Sequence, residues 1–132
     1  MRLYLDSSAL VKLVRREAES SPLRRFLRRY REDGRVTSAL ARVEVVRAVA
    51  GGGPAAVAHA RRQLARVDQI NVDRALLDEA AALAPGSMLR SLDAIHLASA
   101  RAVGSELRAV VTYDHRMHDA AMALGIAVDA PT

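Results

Sequence analysis

The chain has no cysteine and no tryptophan, and aromatic residues make up only 3% of its 132 positions. Without cysteine there is no disulfide framework, thiolate nucleophile, thiolate-bound zinc or iron–sulfur centre. Phe26, Tyr4, Tyr30 and Tyr113 are the whole aromatic set, too few parts for a platform of stacked bases of the RRM or OB type. Ala, Val and Leu must therefore fill the core. Lysine is nearly missing as well, because Lys12 stands alone against a background of arginine. Long apolar runs are absent too. The first one, Leu3-Tyr4-Leu5, stops at Asp6, which fits no signal peptide, and no apolar stretch of about 18 residues could span a bilayer. A soluble cytoplasmic protein is the expectation.

What is present is a globular mixture, 51% hydrophobic and 27% charged, of a length suited to one domain over residues 1–132. The balance of 20 Lys+Arg against 15 Asp+Glu leaves a net charge of +5, a sign that favours polyanionic partners.

Strand and helix patterns alternate along the chain. Arg2 to Leu5 reads as a buried strand, followed by a helix from Ser7 or Ser8 to about Arg16. Ser20-Ser21-Pro22 restarts a helix whose apolar stripe is Leu23, Phe26, Leu27 and Tyr30, with Gly34 as its stop. Arg35 to Thr37 predicts a second strand, Ser38 a cap, and Ala39 to Ala50 a helix ending at Gly51-Gly52-Gly53-Pro54. Those glycines lack the Gly-Lys-Ser/Thr of a P-loop and the spacing of a dinucleotide fingerprint, so they read as a hinge or turn. Helix from Pro54 to about Val67, strand from Gln69 to Val72, and helix from Asp73 to Ala84 follow. Beyond Pro85-Gly86 come a helix over Ser91 to Val103, a strand over Leu107 to Thr112, a helix over His115 to Leu124 and a strand over Ile126 to Val128. This order predicts a three-layer α/β/α sandwich around a mainly parallel sheet.

Among the acids, Asp6 and Asp114 each follow a strand directly, where ligands bind in open α/β sheets, although either would also serve as a helix N-cap. Asp93 lies in the first turn of a helix that is apolar almost all round, where a carboxylate favours the helix dipole but a buried one needs a cation or several donors. His96, three residues on, is one candidate partner, and a lone His on an apolar helix is more often structural. Glu44 sits among Val43, Val45, Val46 and Val49, either paired with Arg42 or Arg47 or directed into a polar cleft. The other acids, such as Glu17, Glu32, Asp78 and Glu79, fall on polar faces or element ends. Carboxylates gathered together repel unless a cation neutralises them. All-oxygen ligation selects hard ions such as Mg²⁺ or Mn²⁺, which bridge phosphates.

Four segments carry a resemblance: Tyr4-Leu5-Asp6-Ser7-Ser8-Ala9-Leu10-Val11-Lys12-Leu13, then Glu44, then Leu92-Asp93-Ala94-Ile95-His96-Leu97-Ala98, then Val111-Thr112-Tyr113-Asp114. In this order they resemble the motifs of the PIN-domain family, specifically its VapC-type ribonuclease toxins. The resemblance implies a PIN-like α/β/α nuclease domain and a Mg²⁺- or Mn²⁺-dependent endoribonuclease site. It also implies a small antitoxin that covers the site, and a homodimer. Asp6, Glu44, Asp93 and Asp114 match the family's acidic quartet in catalysis and metal binding. Ser7 or Ser8 and Thr112 match hydroxyl positions beside it, whereas Asp119 has no firm counterpart and suits a surface position. A different class of function remains on the same fold, a regulatory module that binds RNA or protein without turnover.

Arg24, Arg25, Arg28, Arg29 and Arg31 crowd the polar face of the second helix with no acid from Leu23 to Arg31 to balance them. Such a run is usually a solvated face, and it also suits RNA phosphates or an acidic antitoxin segment. Arg61, Arg62 and Arg66 form a weaker second candidate.

Overall fold

A computed structural model describes residues 1–132. Strands β1 (Arg2–Leu5), β2 (Gly34–Ser38), β3 (Asp68–Ile70), β4 (Leu107–Val111) and β5 (Val128–Asp129) make one sheet in the order β3-β2-β1-β4-β5. Every pairing is parallel. The connections carry helices α1 (Ser7–Val14), α2 (Ser20–Arg29), α3 (Ala41–Val49), α4 (Pro54–Ala65), α5 (Arg74–Ala81), α6 (Ser91–Ala102) and α7 (His115–Ala123).

Successive strand residues point to opposite faces, and this alternation divides the core into two layers. Leu3, Leu5, Ala109 and Val111 face one way and pack with Leu10 of α1, Leu23 and Leu27 of α2, Val45 of α3 and Leu64 of α4. Tyr4, Val36 and Val110 face the other way, onto Leu97 of α6 and Met117 and Ala121 of α7. Outside that layer Leu76 and Ala80 of α5 close on Ala94 and Ala98 of α6. The expected three-layer α/β/α sandwich is the architecture observed.

Element boundaries move where local hydrogen bonds outrank the apolar pattern. Helix α3 starts at Ala41 instead of Ala39, because Ser38 completes β2 and spends its hydroxyl oxygen on the Leu40 N–H at 3.1 Å. Helix α5 ends at Ala81, short of Ala84, which adopts a left-handed φ of +45° ahead of Pro85. The last strand is Val128–Asp129 because the Ile126 N–H turns back to the Ala121 carbonyl at 2.9 Å and closes α7. Gly53, at φ +88°, makes the left-handed turn into α4 that a residue with a Cβ disfavours. No helix is long and apolar enough to cross a membrane.

Candidate active site

The chain leaves β1 toward β2 and β3 on one side, and adds β4 and β5 on the other. The order therefore reverses between β1 and β4, whose ends are in register at Leu5 and Val111. A crevice opens outside the carboxyl ends of such a pair. Asp6 and Asp114 stand at this edge, and both are helix N-caps as well. One oxygen of Asp6 accepts the Ala9 N–H at 2.9 Å, and one oxygen of Asp114 accepts the Met117 N–H at 3.0 Å. Capping and site geometry coexist because a carboxylate has two oxygens. The second oxygen of Asp6 accepts from the Thr112 hydroxyl at 2.6 Å, and Thr112 in turn accepts the Asp114 N–H at 3.1 Å. Ser8 donates to Asp6 at 2.6 Å and accepts the Tyr113 N–H at 2.9 Å. These hydroxyls tie the ends of β1 and β4 into one rigid edge.

Glu44 reaches the same region from α3. Its Oε1 accepts from the Ser7 hydroxyl at 2.7 Å and lies 2.6 Å from Nε2 of His96. Neither Arg42 nor Arg47 pairs with it, which corrects one of the alternatives weighed for this residue. Nor does His96 serve Asp93. It is buried under the crevice, with the Tyr4 hydroxyl 2.7 Å from its Nδ1. Burial and the charge of Asp6 push the Tyr4 phenol far above its ordinary pKa, so the phenol keeps its proton. With Tyr4 donating to Nδ1 and Nε2–H donating to Glu44, every partner of the imidazole is satisfied. Burial alone would raise the Glu44 pKa, but the bonds from His96 and Ser7 outweigh it and the net shift is downward. Asp6 goes the other way, since its deeper burial outweighs His96, Ser8, Thr112 and the Ala9 amide.

Asp93, in the first turn of α6, is 13% exposed and bonds Nε of Arg90 at 3.1 Å. The same guanidinium bonds Oδ2 of Asp114 through Nη2 at 3.0 Å. The hydrogen bond and charge of Asp93, then the charges of Asp114 and Glu44, raise the Arg90 pKa. The cation that a group of acids requires is thus supplied by the chain. Arg90 was missing from the candidates, although the sequence held a signal: an arginine directly before Ser91 stands where a helix prefers Ser, Thr, Asp or Asn.

Asp6, Glu44, Asp93 and Asp114 come to one edge of the sheet, but no three acids or histidines converge on a single point. As donors they fit a hard divalent ion, being carboxylates with no thiol among them, while the His96 imidazole has both nitrogens engaged. The gap between Asp93 and Asp114 already accommodates a cation, here a guanidinium. Beside the acids a cavity of about 460 Å³ runs along α1 from Ser7, Ser8 and Glu44 to Lys12 and Arg15, with Tyr113 in its wall. Lys12 is tied down by Glu19 at 2.9 Å and Glu17 at 3.3 Å, and lies 4.7 Å over the Tyr113 ring. Two apolar side chains expected to be buried, Val43 and Leu92, are exposed next to Glu44 and Asp93. Asp119 is on the surface, with its side chain 85% exposed.

The family model described as the PIN domain matches residues 3–122. The chain belongs to the PIN-domain family. Relatives of this PIN-domain chain include ribonuclease VapC46 of Mycobacterium tuberculosis (strain ATCC 25618 / H37Rv), 53% identical over 98% of both chains. Another is ribonuclease VapC35 of the same species (strain CDC 1551 / Oshkosh), 47% identical over 98% of this chain and 96% of that one. Among solved structures, the crystal structure of M. tuberculosis VapC20, described as a sarcin-ricin loop cleaving toxin, superposes with a TM-score of 0.76. It covers 98% of this PIN domain and 99% of VapC20 at 21% identity, a likeness of fold.

Proposed function

We propose that this chain is an RNA-cleaving toxin of a toxin–antitoxin pair, a single nuclease domain that hydrolyses phosphodiester bonds in the cytoplasm with Mg²⁺ or Mn²⁺. The observation that carries the reading is the gathering of Asp6, Glu44, Asp93 and Asp114 at the β1/β4 edge, in a chain 53% identical to a VapC ribonuclease. These four residues would hold the ion, which would supply charge stabilisation at a phosphate oxygen and a water activated near neutral pH. The protein's own contribution is rigidity. Ser8 and Thr112 fix Asp6, while Ser7 and His96 fix Glu44, so that each acid is held by partners which are themselves held. No side chain here is placed as a nucleophile, and none is required when water attacks. Purified protein should cleave RNA with Mg²⁺ or Mn²⁺ present and stop when EDTA is added. RNA binding without cleavage at any metal concentration would favour a regulatory module instead.

The ion should stabilise the native chain, because only the folded state assembles the carboxylates. At a Mn²⁺ concentration ten times its dissociation constant the gain is about 1.4 kcal/mol, or roughly 4 °C in melting temperature. A variant with Asp6, Glu44, Asp93 and Asp114 all changed to Ala should show no such shift. Equal shifts in the two proteins would remove the acids from the metal site.

The partners proposed are RNA, a cognate antitoxin and a second copy in a homodimer. On α2, Arg24, Arg25, Arg28 and Arg29 are exposed opposite the buried Leu23 and Leu27, and none of the four has an acid within ion-pair distance. Changing all four to Gln should weaken RNA binding and flatten its salt dependence by about 0.7 log units per lost phosphate contact. If the face holds antitoxin instead, the RNA slope stays and the protein complex weakens. Affinities for both at two salt concentrations decide between them, and wild-type values throughout would make the face plain solvated surface.

A further inference from the structure

Arg90 breaks two local rules at once. It occupies the N-cap of α6 without making a side-chain cap bond, and it puts a positive charge at the positive end of a helix dipole. A residue that defies local preference is held there by something else, and such conflicts concentrate at functional sites. Here the holding contacts are Asp93 and Asp114.

The atoms involved set the guanidinium in competition with a metal ion. Oδ1 of Asp114 caps α7 through the Met117 N–H, and Oδ2 is the oxygen that Arg90 holds. An ion held between Asp93 and Asp114 would compete with the guanidinium for that oxygen. Asp93 likewise presents Oδ2 to the guanidinium. Displacement is open to Arg90 because its side chain is 59% exposed, against 13% for Asp93 and 26% for Asp114. It can swing outward while the acids stay fixed.

Resting on the metal-dependent reading above, we infer that Arg90 holds the cation position between Asp93 and Asp114, yields it to the divalent ion, and then binds a phosphate of the RNA. Charge drives both halves of the exchange. Two carboxylates are neutralised better by a doubly charged ion than by one guanidinium, and once the ion is seated the freed positive charge stands at the crevice mouth. A phosphodiester arriving there meets a planar fork suited to its oxygens. Metal-free chain is thereby kept from the self-repulsion of bare acids, and Arg90 becomes a substrate-positioning residue only in the loaded site.

The test is a pair of affinities that move in opposite directions. Full-length protein stripped with EDTA and dialysed would be titrated with Mn²⁺ by calorimetry. Binding of a fluorescein-labelled RNA oligonucleotide at saturating Mn²⁺ would then be followed by rapid mixing, before attack by water turns it over. Arg90→Gln should bind Mn²⁺ about tenfold more tightly than wild type and the oligonucleotide about tenfold more weakly, with kcat changing less than KM in cleavage assays. Arg90→Lys, which keeps the charge and loses the fork, should fall between the two. Unchanged or weaker Mn²⁺ binding in Arg90→Gln would overturn the inference, as would unchanged RNA affinity. Failure of the metal reading itself looks different: wild type and Arg90→Gln would then bind no more Mn²⁺ than the quadruple alanine variant.

Discussion

Asp93→Asn is expected to lower RNA cleavage about a thousandfold, the equivalent of roughly 4 kcal/mol of transition-state stabilisation. The amide preserves the shape of the side chain and removes the charge, in a position where it is 13% exposed and bonded to Arg90. The fold should survive, because Asp93 lies at the edge of the two large apolar layers and contributes to neither of them. Far-UV circular dichroism should therefore overlay with wild type, and Mn²⁺ affinity should fall with activity. Cleavage at the wild-type rate would remove Asp93 from the site. A lost signal by circular dichroism would mean that the charge mattered to folding.

His96→Ala is expected to cost about 3 to 5 kcal/mol of stability, by two mechanisms that add. Truncation opens a cavity beneath the crevice, where His96 is 3% exposed and packs edge-on to Tyr4 with ring centroids 5.9 Å apart. It also strips the Tyr4 hydroxyl of its acceptor and Glu44 of one of its two donors. Tyr4→Phe removes only the phenol oxygen and should cost about 1 to 2 kcal/mol, leaving the imidazole on Glu44. Since the chain has no tryptophan, urea unfolding is best followed by circular dichroism. A loss below about 1 kcal/mol for His96→Ala would show that the Tyr4–His96–Glu44 chain carries little energy.

These two residues also show how far local pattern reaches. Asp93 was readable because a carboxylate in the first turn of an apolar helix is both favourable to the dipole and unusual to bury. His96, three positions later on the same helix, was not readable in its actual role. Spacing along α6 suggested Asp93 as its partner, yet the imidazole turns to Tyr4, 92 positions away in sequence, and to Glu44, 52 positions away. Asp6 and Asp114 present another ambiguity, because a carboxylate after a strand suits a helix cap and a site equally well. Each residue does the capping with one oxygen while the other faces Thr112 or Arg90.

From the sequence by itself came the alternation of strand and helix, the three-layer class, the two buried faces of each central strand and the order of the four acids. The first three depend on periodicities of two and about 3.6 residues and the acids on short motifs that resemble those of a family, so all are written in short windows. The tertiary structure alone decided which acids share a cation and which use hydroxyls. That division follows from strand order, because placing β4 against β1 sets Thr112 on Asp6, and from the turn through Ala84 and Pro85 that delivers Arg90 to the head of α6. Contacts of that kind join positions up to 106 apart. They arise only when the sheet closes, since no local spacing specifies which distant group will meet a given carboxylate.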